Sequence, residues 1–177
     1  KGVRRGTASP AHVPLAAQNW KIALGLEPGA RALLSAPLYH SAPNSYGLQA
    51  ILHDATLFLE PKFDAEGTLA LIARERITHA YLVPTMFARM LKLPAEVRER
   101  YDVSSMHFVI SMGSPCAPEV KRAMIDWWGP VIHESYAASE FGRLAGVAAG
   151  GHGQQPRFFR LGYFQAFNQP VQGFGRH

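Results

Sequence analysis

From Arg31 to Tyr136 the chain alternates short apolar runs with stretches of helical periodicity, and few folds accommodate that order. Arg31–Ala36, Ala55–Leu59, Ala80–Val83, Met106–Ser111 and Val131–Glu134 read as strands. Between them, Tyr46–His53 reads as a helix. Asp64 reads as the N-cap of a second helix running to Arg76, with Leu69, Ile72, Ala73 and Ile77 at helical spacing. Pro84 opens a third helix through Leu91. Ala117–Trp128 is a fourth, with Pro118 near its start and Gly129 at its end. A further helix is expected upstream, from His12 to Leu24. Strands separated by single helices are βαβ units. The predicted fold is therefore α/β, a mostly parallel sheet with flanking helices.

That class says where to look for chemistry. In open parallel sheets ligands bind beyond the carboxyl ends of the strands. Pro37–Asn44, Met112–Pro115 and Ser135–Gly142 are the segments so placed, with Pro84-Thr85 a weaker fourth.

Other classes fall away. No apolar run approaches the roughly 18–20 residues of a membrane span. The single cysteine, Cys116, excludes a disulfide framework and a cysteine-based zinc finger. The eight histidines are all more than four positions apart, so no helical i, i+4 metal pair exists. The first residue is Lys1 and no secretory pattern follows, so the chain is expected to be processed or to be an internal piece of a longer protein. A reducing, cytoplasmic location is the default.

The net charge of +5 is unevenly spread. Residues 1–142 hold all thirteen acidic residues and fourteen of the eighteen basic ones, a net charge of +1. Residues 143–177 hold Arg143, Arg157, Arg160 and Arg176, seven glycines, and no Ser, Thr, Ile, Met, Lys, Asp or Glu. This Gly/Arg/aromatic tail is read as atypical. A translated wrong frame, an unusual extension or a disordered segment would have such a composition. Apart from an apolar piece at Phe158–Phe167, no element is assigned there, and the tail is not expected to pack as the native continuation of the domain.

Four short motifs follow one another along the chain. They are Lys1-Gly2-Val3, Pro37-Leu38-Tyr39-His40, Gly113-Ser114-Pro115 with Pro118-Glu119 behind it, and Tyr136-Ala137-Ala138-Ser139-Glu140. In this order the set resembles the AMP-forming acyl-CoA synthetases of the adenylate-forming superfamily. Pro115-Cys116 and Trp127-Trp128-Gly129-Pro130 look most like the bacterial fatty-acid or related acid ligases. The resemblance runs from Lys1 to about Gly142. It implies that residues 1–142 are a partial AMP-binding domain, part of the larger domain of an adenylate-forming enzyme.

The implied reaction activates a carboxylic acid, here a fatty acid, as an acyl-adenylate and passes the acyl group to coenzyme A. ATP/AMP, Mg²⁺ and coenzyme A as co-substrate come with it. Such transfers depend mainly on positioning and charge neutralisation. By resemblance, Glu140 is the magnesium-linked carboxylate and Ser139 donates its hydroxyl to a phosphate oxygen. Tyr136 lies against the adenine, where a flat ring offers stacking area. His40 separates the acyl pocket from the phosphates. Gly113, Ser114 and Pro115 let the backbone approach the base, and Lys1 is a phosphate-loop lysine. Ala137 and Ser139 depart from the family's usual glycine and threonine. Asn44, Ser45 and Gly47 are candidates to line the acyl pocket. Read without the family, Glu140 is a surface carboxylate, Tyr136 packs in the core, His40 caps a strand end, and Gly113–Pro115 is an ordinary strand-to-helix turn. Cys116 reads as a buried, inert thiol.

The family's phosphate loop precedes the position of Lys1. Its ribose-binding aspartate, interdomain hinge and mobile lysine have no counterpart in residues 143–177, which lack both residue types. The chain alone is therefore expected to be inactive. The alternative class is a non-catalytic α/β module binding a nucleotide or nucleic acid, for which Arg157-Phe158-Phe159-Arg160 interleaves charge and aromatic rings. The expected partners are a small-molecule carboxylic acid and ATP rather than nucleic acid, and the sequence sets no oligomeric state.

Overall fold

The computed structural model describes the backbone of residues 24–138, 142–148 and 157–159, and the side chains of residues 24–135. Within these, seven strands form one sheet: β1 (Arg31–Leu34), β2 (Thr56–Leu59), β3 (His79–Leu82), β4 (Phe108–Ser111), β5 (Ile132–Ala138), β6 (Gly142–Ala148) and β7 (Arg157–Phe159). The order across the sheet is β2-β1-β3-β4-β5-β6-β7. The first five strands are parallel, and β6 and β7 are antiparallel additions. The helices are α1 (Ser41–Leu52), α2 (Ala65–Glu75), α3 (Pro84–Leu91), the single turn α4 (Ala95–Arg98) and α5 (Pro118–Trp128). The expected α/β class, with a mostly parallel sheet and flanking helices, is what the chain forms.

Helices on both faces explain why the parallel strands read as unbroken apolar runs. Ala32, Leu34, Tyr81 and Ile110 point to one face, where Tyr46 and Ala50 of α1 join Leu24 and Leu26 to cover them. Leu33, Ala80, Leu82, Val109 and Ile132 point to the other. There they meet Leu69 and Ile72 of α2, Met86, Phe87 and Met90 of α3, and Met124 and Trp128 of α5. Gly47 brings α1 close to the sheet: a Cβ there would stand 3.4 Å from Leu34 and 3.7 Å from Leu57.

The helix signals act as their chemistry dictates. Asp64 caps α2, its Oδ2 accepting from the Gly67 N–H at 2.7 Å. Pro84 and Pro118 occupy the first turns of α3 and α5, where a missing N–H costs no helix bond. Gly129, at φ +84, ends α5.

Several boundaries differ from expectation. α1 starts at Ser41 rather than Tyr46, because Pro43 falls in its first turn and is tolerated there. α4 carried no sequence signal beyond Pro94. The helix expected at His12–Leu24 lies outside the described residues, save Leu24. β5 runs to Ala138 instead of ending at Glu134. Residues beyond Gly142 were assigned no element before Phe158, yet β6 pairs with β5 along its length and β7 pairs with β6. Two glycines, Gly142 and Gly146, and two alanines, Ala145 and Ala148, give β6 little strand propensity. Backbone pairing with β5 carries it instead, with an irregularity between Tyr136 and Ala137.

Candidate functional site

The strand order decides where a site can form. After β2 the chain crosses back over β1 to lay down β3, so the order reverses between β1 and β3. Loops leaving two such strands diverge and leave a crevice at the carboxyl edge. The loop after β1 carries Pro37–His40, and the loop after β3 is Val83 with Pro84. One strand further lies the turn Met112–Ala117, between β4 and α5. Parallel strands put these segments on one edge, so His40 and Gly113–Pro115 share the carboxyl side of the sheet.

His40 is exposed and stands at the N-cap of α1 with extended backbone, φ −82 and ψ 143. Its carbonyl accepts from the Asn44 N–H at 3.1 Å, and its own N–H donates to the Pro37 carbonyl. The imidazole makes no capping hydrogen bond. It leans on Tyr39, ring centroids 4.4 Å apart. The backbone, not the ring, caps the helix, and this leaves the imidazole presented at the edge. Of the three candidate pocket residues, Asn44 is exposed, Ser45 is half-buried, and Gly47 is buried beneath Leu38, Leu34 and Leu57.

Gly113, Ser114 and Pro115 are all exposed. Gly113 has φ +100, which only glycine adopts easily, and a Cβ there would meet nothing nearer than Val83 at 3.8 Å. The turn therefore offers bare backbone beside open space. Cys116 behind it is buried. Burial first, and then the Glu134 charge, push its thiol pKa up, with Lys121 opposing. Its burial agrees with the sequence reading, and the raised pKa favours the protonated form.

Tyr136 lies inside β5, opposite Ala145 of β6, two positions after Glu134. The expectation that it follows the strand is corrected: pairing with β6 extends β5 through Ala138. Lys1, Ser139 and Glu140 lie outside the described residues. Among the described residues no group of three or more His, Cys, Asp or Glu side chains is arranged to hold a metal ion.

One residue of this region escaped the sequence reading. Glu134 points from β5 toward α5, on the face that carries Ile132. Its Oε1 accepts from the Cys116 N–H at 2.9 Å, and its Oε2 pairs with Lys121 Nζ. A carboxylate beside the buried Ile132 was the available clue.

An open, mostly parallel sheet with helices on both faces and a strand reversal between β1 and β3 defines a doubly wound α/β domain. The AMP-binding enzyme family matches residues 1–158, and the chain belongs to that family. Medium-chain acyl-CoA ligase ACSF2, mitochondrial, of Bos taurus is 39% identical over 98 residues, covering 54% of this chain and 16% of the relative. Probable CoA ligase CCL5 of Humulus lupulus is 29% identical over 123 residues, 66% of this chain and 22% of the relative. The chain thus spans about a sixth to a fifth of the length of these relatives. Among solved structures, the amide bond synthetase McbA from Marinactinospora thermotolerans superposes with a TM-score of 0.70 at 25% identity, covering 80% of this chain and 28% of McbA. The N-terminal domain of FACL13 from Mycobacterium tuberculosis shares the fold, with a TM-score of 0.63 at 24% identity, over 71% of this chain and 31% of that one.

Proposed function

We propose that this chain is part of an AMP-forming acid–CoA ligase that activates a fatty acid as acyl-adenylate and transfers it to coenzyme A. The observation that carries this reading is the shared carboxyl edge of His40 and the open Gly113–Pro115 turn, next to the strand reversal between β1 and β3. The family match and the acyl-CoA ligase relatives support it.

In the first step a carboxylate oxygen attacks the α-phosphorus of ATP and pyrophosphate leaves. In the second, the thiol of coenzyme A attacks the acyl carbon and AMP leaves. The bare backbone at Gly113 fits a planar base, since no side chain fills the space beside it. In this reading Gly113, Ser114, Pro115 and Tyr136 hold the adenine. Ser139 and Lys1 would meet phosphate oxygens, and Glu140 would hold Mg²⁺, which would supply positive charge to neutralise the phosphates. His40 stands between the acid and the phosphates.

The chain alone is proposed to be inactive. Residues 143–177 contain no Lys or Asp to serve as the family's mobile lysine or ribose ligand. Loss of one such electrostatic donor costs roughly 10²–10³ in rate. Titration calorimetry with AMP and ATP, together with pyrophosphate release from ATP, Mg²⁺ and a panel of fatty acids, tests both statements. Nucleotide binding without pyrophosphate release is expected. No binding at millimolar nucleotide overturns the ligase reading, and release above background overturns the inactivity.

Two narrower proposals go with this one. The composition break after Gly142 supports a change there in the origin of the sequence. The coding DNA around Phe141 tests it, and an intact frame would make residues 143–177 native to the domain. Cytoplasmic location rests on composition. The ACSF2 relatives are mitochondrial by name, and imaging of the tagged parent protein decides between the two. Among the described residues no helix is long and apolar enough to cross a membrane.

A further inference from the structure

We propose that Glu134 is a positioning residue, which fixes the turn Gly113–Ala117 against β5 and so sets the gap that a nucleotide base enters. The inference rests on the ligase reading for the identity of the ligand and on geometry for everything else.

Glu134 occupies an expensive place. Its neighbour Ile132 on the same face is a core residue, and its side chain is only 21% exposed. A carboxylate there is tolerated only if its oxygens are used. Both are. Oε1 takes the Cys116 N–H and Oε2 takes the Lys121 ammonium. Cys116 precedes the N-cap Ala117, so its N–H lies outside the helix ladder of α5 and needs an acceptor elsewhere. Lys121 sits in the first turn of α5, its N–H donating to the Ala117 carbonyl. One carboxylate therefore ties three pieces together: β5 two positions before Tyr136, the end of the turn, and the start of α5. Gly113, at φ +100 and exposed, lies three residues from the tied N–H. If the tie is lost, the Gly113 end of the turn is free to move relative to β5.

Cys116 supplies the readout. It is the only cysteine in the chain, and it is 7% exposed. Its rate of reaction with a thiol reagent such as dithionitrobenzoate therefore reports opening of the turn, with no nucleotide present. Three variants of the full chain separate the contributions. Glu134→Leu removes both contacts at similar volume. Glu134→Gln keeps an oxygen for the Cys116 N–H but loses the charge. Lys121→Met loses the ion pair and leaves the acceptor.

Glu134→Leu is expected to speed labelling and weaken AMP binding, each by about tenfold or more, the factor expected from losing one hydrogen bond to a charged group. Glu134→Gln and Lys121→Met are expected to stay within about threefold of wild type, because the tie to Cys116 survives. Leu69→Ala, in the core of α2 and away from the turn, controls for general destabilisation.

Wild-type labelling and affinity in the Leu variant overturn the proposal. So does a rise shared equally by Leu and Gln, since both lose the charge that helps hold the thiol pKa up, and the effect would then be on the thiol. Equal labelling of Glu134→Leu and Leu69→Ala assigns it to unfolding and also overturns it. If wild type binds no AMP but the labelling order holds, the ligase reading fails while the tie itself stands.

Discussion

The rings of Phe108 and His133 lie face to face, centroids 3.9 Å apart and planes 9° from parallel. On the other side of Phe108 stands His79, 6.2 Å away and tilted by 21°. The three residues come from adjacent parallel strands near their amino ends, opposite the candidate site. Two imidazoles are thus stacked against a benzene ring on the sheet surface. His79 is buried and takes part in a 2.7 Å hydrogen bond with the Thr78 hydroxyl.

This arrangement makes stability depend on acidity. Burial pushes the His133 pKa from an ordinary 6.5 down to about 4. Burial also lowers that of His79, against the opposing charge of Glu27. The unfolded chain takes up these protons near the ordinary value, while the folded chain resists them. Stability is therefore complete above about pH 7 and falls as pH drops from about 6.5 toward 4. The melting temperature should drop through that window, and His133→Phe, which keeps the stack, should drop less. If both proteins lose the same from pH 7 to 4.5, His133 does not carry the effect.

Gly25 closes the same stack from above. Its φ is +69, and a Cβ added there would fall 2.4 Å from Phe108 Cγ. Phe108 has little room to retreat with an imidazole stacked on it. Gly25→Ala combines backbone strain with overpacking and should destabilise the chain by roughly 2–4 kcal/mol. Urea unfolding measures it. The same change at Gly29, with positive φ but open space around it, should cost less.

The sequence disclosed most of the parallel part of the fold because each βαβ unit carries its own local signals. Asp64, Pro84, Pro118 and Gly129 mark helix ends by side-chain chemistry that does not depend on the rest of the molecule. The antiparallel end was hidden for the opposite reason. Gly142–Ala148 becomes a strand through hydrogen bonds to β5, a partner that no local pattern names. The same pairing lengthened β5 and drew Tyr136 into it.

The backbone placement of the candidate residues was legible, and the contacts around them were not. His40 and Gly113 follow strand ends, and periodicity finds strand ends. Glu134 earns its place through Cys116 and Lys121, eighteen and thirteen residues earlier, and only the crossover of α5 makes them neighbours. No spacing rule links the three.

Asp64 provides a direct test of a signal that the sequence did disclose. Its Oδ2 satisfies the Gly67 N–H at the exposed start of α2. Asp64→Ala should cost about 1 kcal/mol, and Asp64→Asn only a small part of that, because the amide oxygen still accepts. Chemical denaturation separates the two. Equal losses would mean that the cap contributes through its charge rather than its hydrogen bond.

The last prediction separates backbone strain from site chemistry with a matched pair of glycines. Gly113 has φ +100 and Gly129 has φ +84, and neither position is crowded: a Cβ at Gly113 would meet only Val83 at 3.8 Å, and one at Gly129 nothing within 4 Å. Alanine at either position is therefore disfavoured by its backbone alone, by roughly 1–3 kcal/mol. The two differ in place. Gly113 lies on the carboxyl edge beside the crevice, and Gly129 ends α5 just before β5 begins, at the other edge. Both alanine variants should lower the melting temperature by similar amounts. Only Gly113→Ala should also weaken AMP binding, because its methyl group fills the space a base would occupy. Calorimetric titration of both variants with AMP, below their melting temperatures, checks this. Equal affinities would show that the open space at Gly113 is not where the nucleotide goes.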